Sequence, residues 1–346
     1  MKQYVDRHTT RRFEVTGAGG IRLAAWDYAA AAVAGAAAEP RAGARPGQGA
    51  AAFRRGAAAG ARPGPGLGLG LAGTGAAGPG AEEGGRPGVL LLHGLLGRAS
   101  HWAATARRLA PRYRALALDQ RGHGRSERPE GPYATEAYLA DAVAAVEQLG
   151  LAPVTVIGHS MGALTAWQLA AHRPDLVAAV VICDMRAAAL GEAGQREWED
   201  WTRSWPLPFA TLGDARRWFA EQDPWADPPD PVRGEFFAEV MVEGDDGWRP
   251  QYAPRHLLRS RDPWIRDAHW DELAEVACPA LVVRGLGGEL GRAEAQEMVR
   301  VLPRGRYAEI PDAGHLVPWD QPEAWCDTVE RFLREVVREP ERAAPA

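Results

Sequence analysis

The residues best placed to do chemistry are Gly158-His159-Ser160-Met161-Gly162. They follow a short apolar run, Val154-Thr155-Val156-Ile157, and open a helical pattern, Met161–His172. A serine on a very tight strand-to-helix turn needs small residues at both ends. The turn exposes its hydroxyl at a helix N-terminus, where negative charge is stabilised. Serine alone is a poor nucleophile and needs a base. Of nine histidines, His315 stands out, because it follows the last strand-like run in Ile310-Pro311-Asp312-Ala313-Gly314-His315. A loop at the carboxyl edge of a parallel sheet reaches the other loops at that edge. Attack on a carbonyl also requires donors for the developing oxyanion. The amide of Met161, directly after the serine, is one; the amide of Leu95, in His93-Gly94-Leu95-Leu96-Gly97, is the other.

These loops need a sheet to hold them. Arg12-Phe13-Glu14-Val15 and Ile21 to Trp26 read as an antiparallel pair turned at Gly19-Gly20. Further on, Val89–Leu92, Ala115–Leu118, Val154–Ile157, Val177–Cys183, Ala280–Val283 and Tyr307–Ile310 are short apolar runs suited to strands buried on both faces. Helical patterns alternate with them at Trp102–Leu109, Thr135–Leu149, Met161–His172, Ala293–Leu302 and Glu323–Val337. The expected fold is α/β, a mostly parallel sheet flanked by helices. From 186 to 277 no buried strand is evident, yet eight of the thirteen tryptophans lie there. This interval reads as a helical cap, or lid, inserted after the sixth strand. Residues 29–88 are mostly Ala, Gly and Pro and carry too little to bury to recover an ordering cost of about 1–2 kcal/mol per residue. They read as a disordered insertion, and 339–346 as a disordered tail. The core is thereby assigned to 1–28, 89–185 and 278–338.

Composition excludes several classes. With a net charge of -5, no basic field offers itself to nucleic acid or an anionic membrane. No apolar stretch is long enough for a membrane span, and the polar N-terminus lacks a signal-peptide core. Cys183, Cys278 and Cys326 show no metal-ligand spacing and read as free thiols in a reducing compartment. The expectation is a cytoplasmic protein with a small-molecule substrate and no cofactor or metal. A single lysine and no asparagine, beside abundant Arg, Ala, Gly and Pro, point to a GC-rich, bacterial gene.

The chain resembles the α/β-hydrolase fold enzymes, in particular capped members such as bacterial serine esterases and carbon–carbon bond hydrolases. The resemblance rests on His93-Gly94, on Asp119-Gln120-Arg121-Gly122-His123-Gly124-Arg125-Ser126, on Gly158–Gly162 and on Pro311–His315, in the family's order. It implies that Asp119, Arg121, His123 and His159 are structural. It also implies a triad acid after the strand that precedes the histidine strand. There this chain has Gly285-Leu286-Gly287-Gly288-Glu289, which makes Glu289 the expected acid; Asp184, after Val181-Ile182-Cys183, is the alternative. Ser160 argues against the dehalogenases and epoxide hydrolases of this fold, whose nucleophile is an aspartate. The implied activity is a carboxylesterase acting through an acyl-enzyme on a small, largely apolar substrate. The same triad also serves carbon–carbon hydrolysis of a vinylogous diketone or cofactor-free perhydrolysis, and some relatives keep the fold as ligand receptors.

Overall fold

The computed structural model describes residues 10–28 and 85–343. Its strands are β1 (Arg11–Thr16), β2 (Arg22–Asp27), β3 (Gly88–Leu92), β4 (Arg114–Asp119), β5 (Val154–His159), β6 (Val177–Cys183), β7 (Met241–Gly244), β8 (Gly247–Pro250), β9 (Ala280–Gly285) and β10 (Gly305–Ile310). Eight of them form one sheet in the order β1-β2-β4-β3-β5-β6-β9-β10. The pairings at β1-β2 and β2-β4 are antiparallel and the rest are parallel. Each apolar run read from the sequence became a strand of this sheet. The first hairpin turns where expected, with Gly19 and Gly20 at φ 74° and 78°, a backbone that glycine adopts without penalty.

Helices cover both faces. They are α1 (Ala103–Leu109), α2 (Thr135–Gln148), α3 (Met161–His172), α4 (Gly191–Arg203), α5 (Leu212–Arg217), α6 (Pro231–Glu239), α7 (Pro254–Arg266), α8 (Trp270–Ala274), α9 (Arg292–Val301), α10 (Val317–Asp320) and α11 (Pro322–Ala343). Because side chains alternate along a strand, β3 divides its residues between two cores. Leu90 and Leu92 pack with Val146, Leu164 and Trp167 on the face of α2 and α3, whereas Val89 and Leu91 pack with Trp102 and Trp325 on the other face. Trp102, Trp167 and Trp325 are wholly buried. The chain leaves β3 toward β4 and then returns to β5 on the opposite side of β3. That reversal opens a crevice at the carboxyl ends of β3 and β5, the place where open α/β sheets bind ligands.

Between β6 and β9 the chain leaves the sheet through α4 to α7 and builds a third, aromatic cluster. Trp198, Trp201, Trp205, Phe219 and Phe237 pack there, and Leu96 and Leu316 of the sheet-edge loops join them. Two details depart from the sequence expectation. This interval contains a small hairpin, β7-β8, in which only Met241 is buried, so it carries no apolar pattern; its signal was Asp245-Asp246-Gly247, with Gly247 at φ 129°. The return to the core also comes before 277, because Leu273 and Val276 already bury in the cluster formed with α2 and α3.

At the C-terminus, α11 runs to Ala343, past the expected boundary at 338. Residues 344–346, the expected tail's end, and all of the 29–88 insertion up to 84 lie outside the described residues. Gly88, placed in that insertion, opens β3. Among the described residues no helix is long and apolar enough to cross a membrane.

Candidate active site

Ser160 stands between β5 and α3 with φ 52° and ψ −124°. A non-glycine residue in that region stores about 1–3 kcal/mol of strain and persists only when its surroundings over-determine it. The surroundings here do so. The Ser160 amide donates to the Cys183 carbonyl at 2.9 Å, and the Ser160 carbonyl accepts the Ala163 amide at 2.8 Å. A Cβ on Gly158 would stand 2.1 Å from the Gly162 oxygen, and one on Gly162 would stand 2.2 Å from the Leu92 oxygen. Both glycines are therefore required by contact, and together they bring β3, β5 and the start of α3 within touching distance. The Met161 amide lies in the first turn of α3, where unpaired N–H groups and the helix dipole favour an anion.

The loop after β3 lies directly beside this turn. A Cβ on Gly94 would be 2.9 Å from the Ser160 Cβ and 2.9 Å from the His159 Nδ1. His93 locks that loop: its Nδ1–H donates to the Gly94 carbonyl at 2.7 Å and its Nε2 accepts the Gln120 amide at 3.0 Å. Burial pushes the His93 pKa down to about 3, so the ring stays neutral and both bonds persist. Leu95, next in the loop, lines the cavity in front of Ser160.

His315 comes from the loop after β10. The Gly314 amide donates to Asp320 Oδ2 at 2.8 Å, and His159 Nε2–H donates to the His315 carbonyl at 2.7 Å. The His159 pKa is driven well below its ordinary value, first by burial and then by His315, so His159 acts as a neutral strut under the loop that carries His315. The His315 ring donates from Nδ1 to Asp184 Oδ2 at 2.7 Å. That bond fixes the tautomer and leaves Nε2 available to accept a proton.

The carboxylate on His315 is thus Asp184, and the expectation of Glu289 in that position is corrected. Glu289 Oε1 stands 3.9 Å from His315 Nδ1, and its side chain is 58% exposed, whereas the Asp184 side chain is fully buried. It is the backbone of the 289 loop that faces inward. The Glu289 amide donates to Asp184 Oδ2 at 2.9 Å and the Leu290 amide to Asp184 Oδ1 at 3.4 Å. A Cβ on Gly288 would lie 2.4 Å from Asp184 Oδ1. The Gly287-Gly288 pair therefore clears space for a carboxylate arriving from β6, not slack for its own glutamate. Burial alone would lower the His315 pKa, but the Glu289 charge, the Asp184 hydrogen bond and the Asp184 charge outweigh it and raise the value to about 9.

The residues assigned structural roles occupy them. Asp119 accepts Trp26 Nε1–H at 2.8 Å, the Ala99 amide at 2.7 Å and the Arg125 amide at 2.9 Å. Arg121 is buried against Asp141, Nε to Oδ2 at 2.7 Å and Nη2 to Oδ1 at 2.8 Å. His123 donates from Nδ1 to the Arg121 carbonyl at 2.9 Å.

Ser160, His315, Leu95 and Glu289 share one cavity of about 880 Å³, open solvent at its mouth included. Its far wall comes from the segment between β6 and β9. Trp198, Trp201, Trp225 and Trp264 face it, while Trp205, Trp218 and Trp248 pack into the aromatic cluster. Arg186, Arg233 and Arg261 also line it. Sequence reasoning passed over these cations; the spacing of Arg261 and Trp264, three apart on one helix and so on one face, was the available signal. Among the described residues no group of three or more His, Cys, Asp or Glu side chains is arranged to hold a metal ion.

The profile of the alpha/beta hydrolase family matches residues 89–328. The chain is 28% identical to 2-(acetamidomethylene)succinate hydrolase of Mesorhizobium japonicum, covering 73% of this chain and 90% of that one. It is 29% identical to N-formylmaleamate deformylase of Pseudomonas putida, covering 71% and 88%. The crystal structure of an E-2-(acetamidomethylene)succinate hydrolase superposes with a TM-score of 0.69 at 21% identity, covering 94% of this chain and 99% of that one.

Proposed function

The chain belongs to the alpha/beta hydrolase family, and we propose that within it this protein is a serine hydrolase that cleaves a carboxylic ester, or a related acyl bond, of a small substrate with a largely apolar body. One observation carries the reading. A serine held in a strained turn at the wall of a cavity shares that cavity with a histidine whose ring is bonded to a buried aspartate.

In this reading His315 Nε2 takes the Ser160 proton as Oγ attacks the substrate carbonyl. Asp184 holds the ring and stabilises the imidazolium that forms, without itself taking the proton. The carbonyl oxygen, now an oxyanion, meets the amides of Leu95 and Met161. Losing one such donor costs about 2.7–4 kcal/mol in comparable sites. Collapse of the tetrahedral intermediate releases the alcohol, which leaves with the proton from His315. Water then attacks the acyl-serine, His315 accepts its proton and returns it to Ser160, and the acid departs. The segment from α4 to α7 supplies an aromatic wall that suits an apolar body. The two relatives named above, a hydrolase and a deformylase, support the hydrolase part of this reading.

The test is hydrolysis of 4-nitrophenyl esters from acetate to octanoate. Wild type is expected to turn them over, and Ser160→Ala to lose about a million-fold in kcat. Turnover surviving in S160A would overturn the assignment of the nucleophile. A folded wild type inert to every ester would exclude ester hydrolysis.

A further inference from the structure

Three guanidinium groups face the cavity, and acids neutralise two of them. Arg186 Nε donates to Glu294 Oε2 at 2.8 Å. Arg233 donates to Asp223 Oδ2 from Nε at 2.7 Å and from Nη2 at 2.5 Å. Arg261, on α7, differs. It is 8% exposed, and its Nε donates to the neutral Gln195 Oε1 at 3.1 Å. Among the described residues no carboxylate lies within 4 Å of its guanidinium. The rings of Trp198 and Trp264 stand 4.8 and 5.8 Å from its central carbon, and both rings line the same cavity.

A cation removed from water costs several kcal/mol unless a counter-charge repays it. Aromatic faces repay part of that cost through their quadrupoles. Burial draws the Arg261 pKa down to about 10, with the Glu289 charge opposing the fall, so the group is protonated at neutral pH. A planar fork of N–H donors, charged, walled by indoles and open to a ligand cavity, matches a carboxylate in shape and sign.

We propose that Arg261 anchors a carboxylate carried by the substrate, so that the site takes small anionic esters whose apolar body spans the distance between Ser160 and α7. This rests on the serine hydrolase reading and narrows its substrate class. Glu289, which lines the same cavity from the loop after β9, works against a second negative charge and rejects substrates whose acid is misplaced.

Two matched ester pairs test it, each an acid and its methyl ester. One carries the acid on the acyl side, 4-nitrophenyl hydrogen adipate; the other carries it on the alcohol side, 3-carboxyphenyl butyrate. In wild type the acid of at least one pair has the higher kcat/KM. In Arg261→Gln that acid-to-ester ratio falls about tenfold or more, and in Arg261→Lys by less. In Glu289→Gln the ratio rises. Equal ratios in wild type and R261Q, with the neutral esters still cleaved, overturn the anion site and leave the hydrolase reading standing. Failure of every ester, or full activity in S160A, overturns the hydrolase reading instead. Calorimetry of adipate with S160A and with S160A/R261Q reads the anion site without turnover, and equal affinity overturns it. Should R261Q not fold, inhibition of wild type by adipate and by adipamide decides: adipate is expected to be the stronger, and equal inhibition overturns the proposal.

Discussion

Asp184 Oδ2 lies 2.7 Å from His315 Nδ1 across 131 residues of sequence. The two meet because β6 and β9 are neighbours and β10 lies next to β9, so the loops after these three strands share one edge of the sheet. Asp184 accepts from one imidazole N–H and two backbone amides. A carboxylate so satisfied is rigid, which is what orienting an imidazole requires.

Replacing the two acids therefore has unequal effects. Asp184→Asn is expected to lower kcat by about 10⁴-fold, the scale seen when a triad aspartate becomes an amide. Glu289→Gln should stay within about tenfold of wild type, as expected of a partly exposed charge acting through space. Steady-state ester hydrolysis checks both, and the reverse ranking would return Glu289 to the position of triad acid.

The pH profile tests the charge that Glu289 places beside His315. A base works only when neutral, so a pKa raised to about 9 puts the acid limb of kcat/KM near pH 9, with activity rising through it. Removing the Glu289 charge in E289Q moves that limb to lower pH. The stability consequence has the opposite sense. The bond that favours charged His315 contributes fully below its ordinary value of about 6.5 and is lost as pH rises through about 9. A limb that stays in place in E289Q would show that Glu289 does not act on the ring.

Strain at Ser160 predicts a trade between stability and turnover. Ser160→Gly abolishes hydrolysis yet should raise stability by about 1 kcal/mol, because glycine adopts φ 52° without a Cβ clash. Thermal unfolding of wild type, S160A and S160G separates relief of strain from loss of the hydroxyl. A Tm for S160G below that of S160A would mean that the turn is unstrained.

The Arg121–Asp141 pair predicts the reverse pattern. Asp141→Ala leaves a buried guanidinium unpaired and removes the acceptor of the Ala18 amide, so about 3–5 kcal/mol of stability is lost. Neither residue touches the cavity, so the pH profile of the surviving folded enzyme should keep its wild-type midpoint. A shifted midpoint would give the 119–126 loop a part in the chemistry.

Most of the sheet was legible because its parallel strands are buried on both faces and so read as plain apolar runs; α3 was located to the residue by the junction at Ser160. The β7-β8 hairpin was not, since two strands of four residues with one buried side chain between them leave no periodic signal. The choice between Asp184 and Glu289 was not legible for a different reason. Adjacent strands deliver both residues to one place, and which of them turns inward depends on backbone amides and on the room beside Gly288. A glycine pair can serve a distant side chain as easily as its own neighbour. Arg261 was hidden similarly, because a guanidinium on an amphipathic helix looks like surface until the wall it faces is known.

The end of β6 has a mechanical consequence. The Cys183 carbonyl holds the Ser160 amide, and the next residue, Asp184, holds the His315 ring. Two successive residues at the end of one strand thus anchor both the turn that carries Ser160 and the ring of His315. Any displacement of that strand end acts on both contacts at once, so the placement of Ser160 and the orientation of His315 depend on the same short piece of backbone.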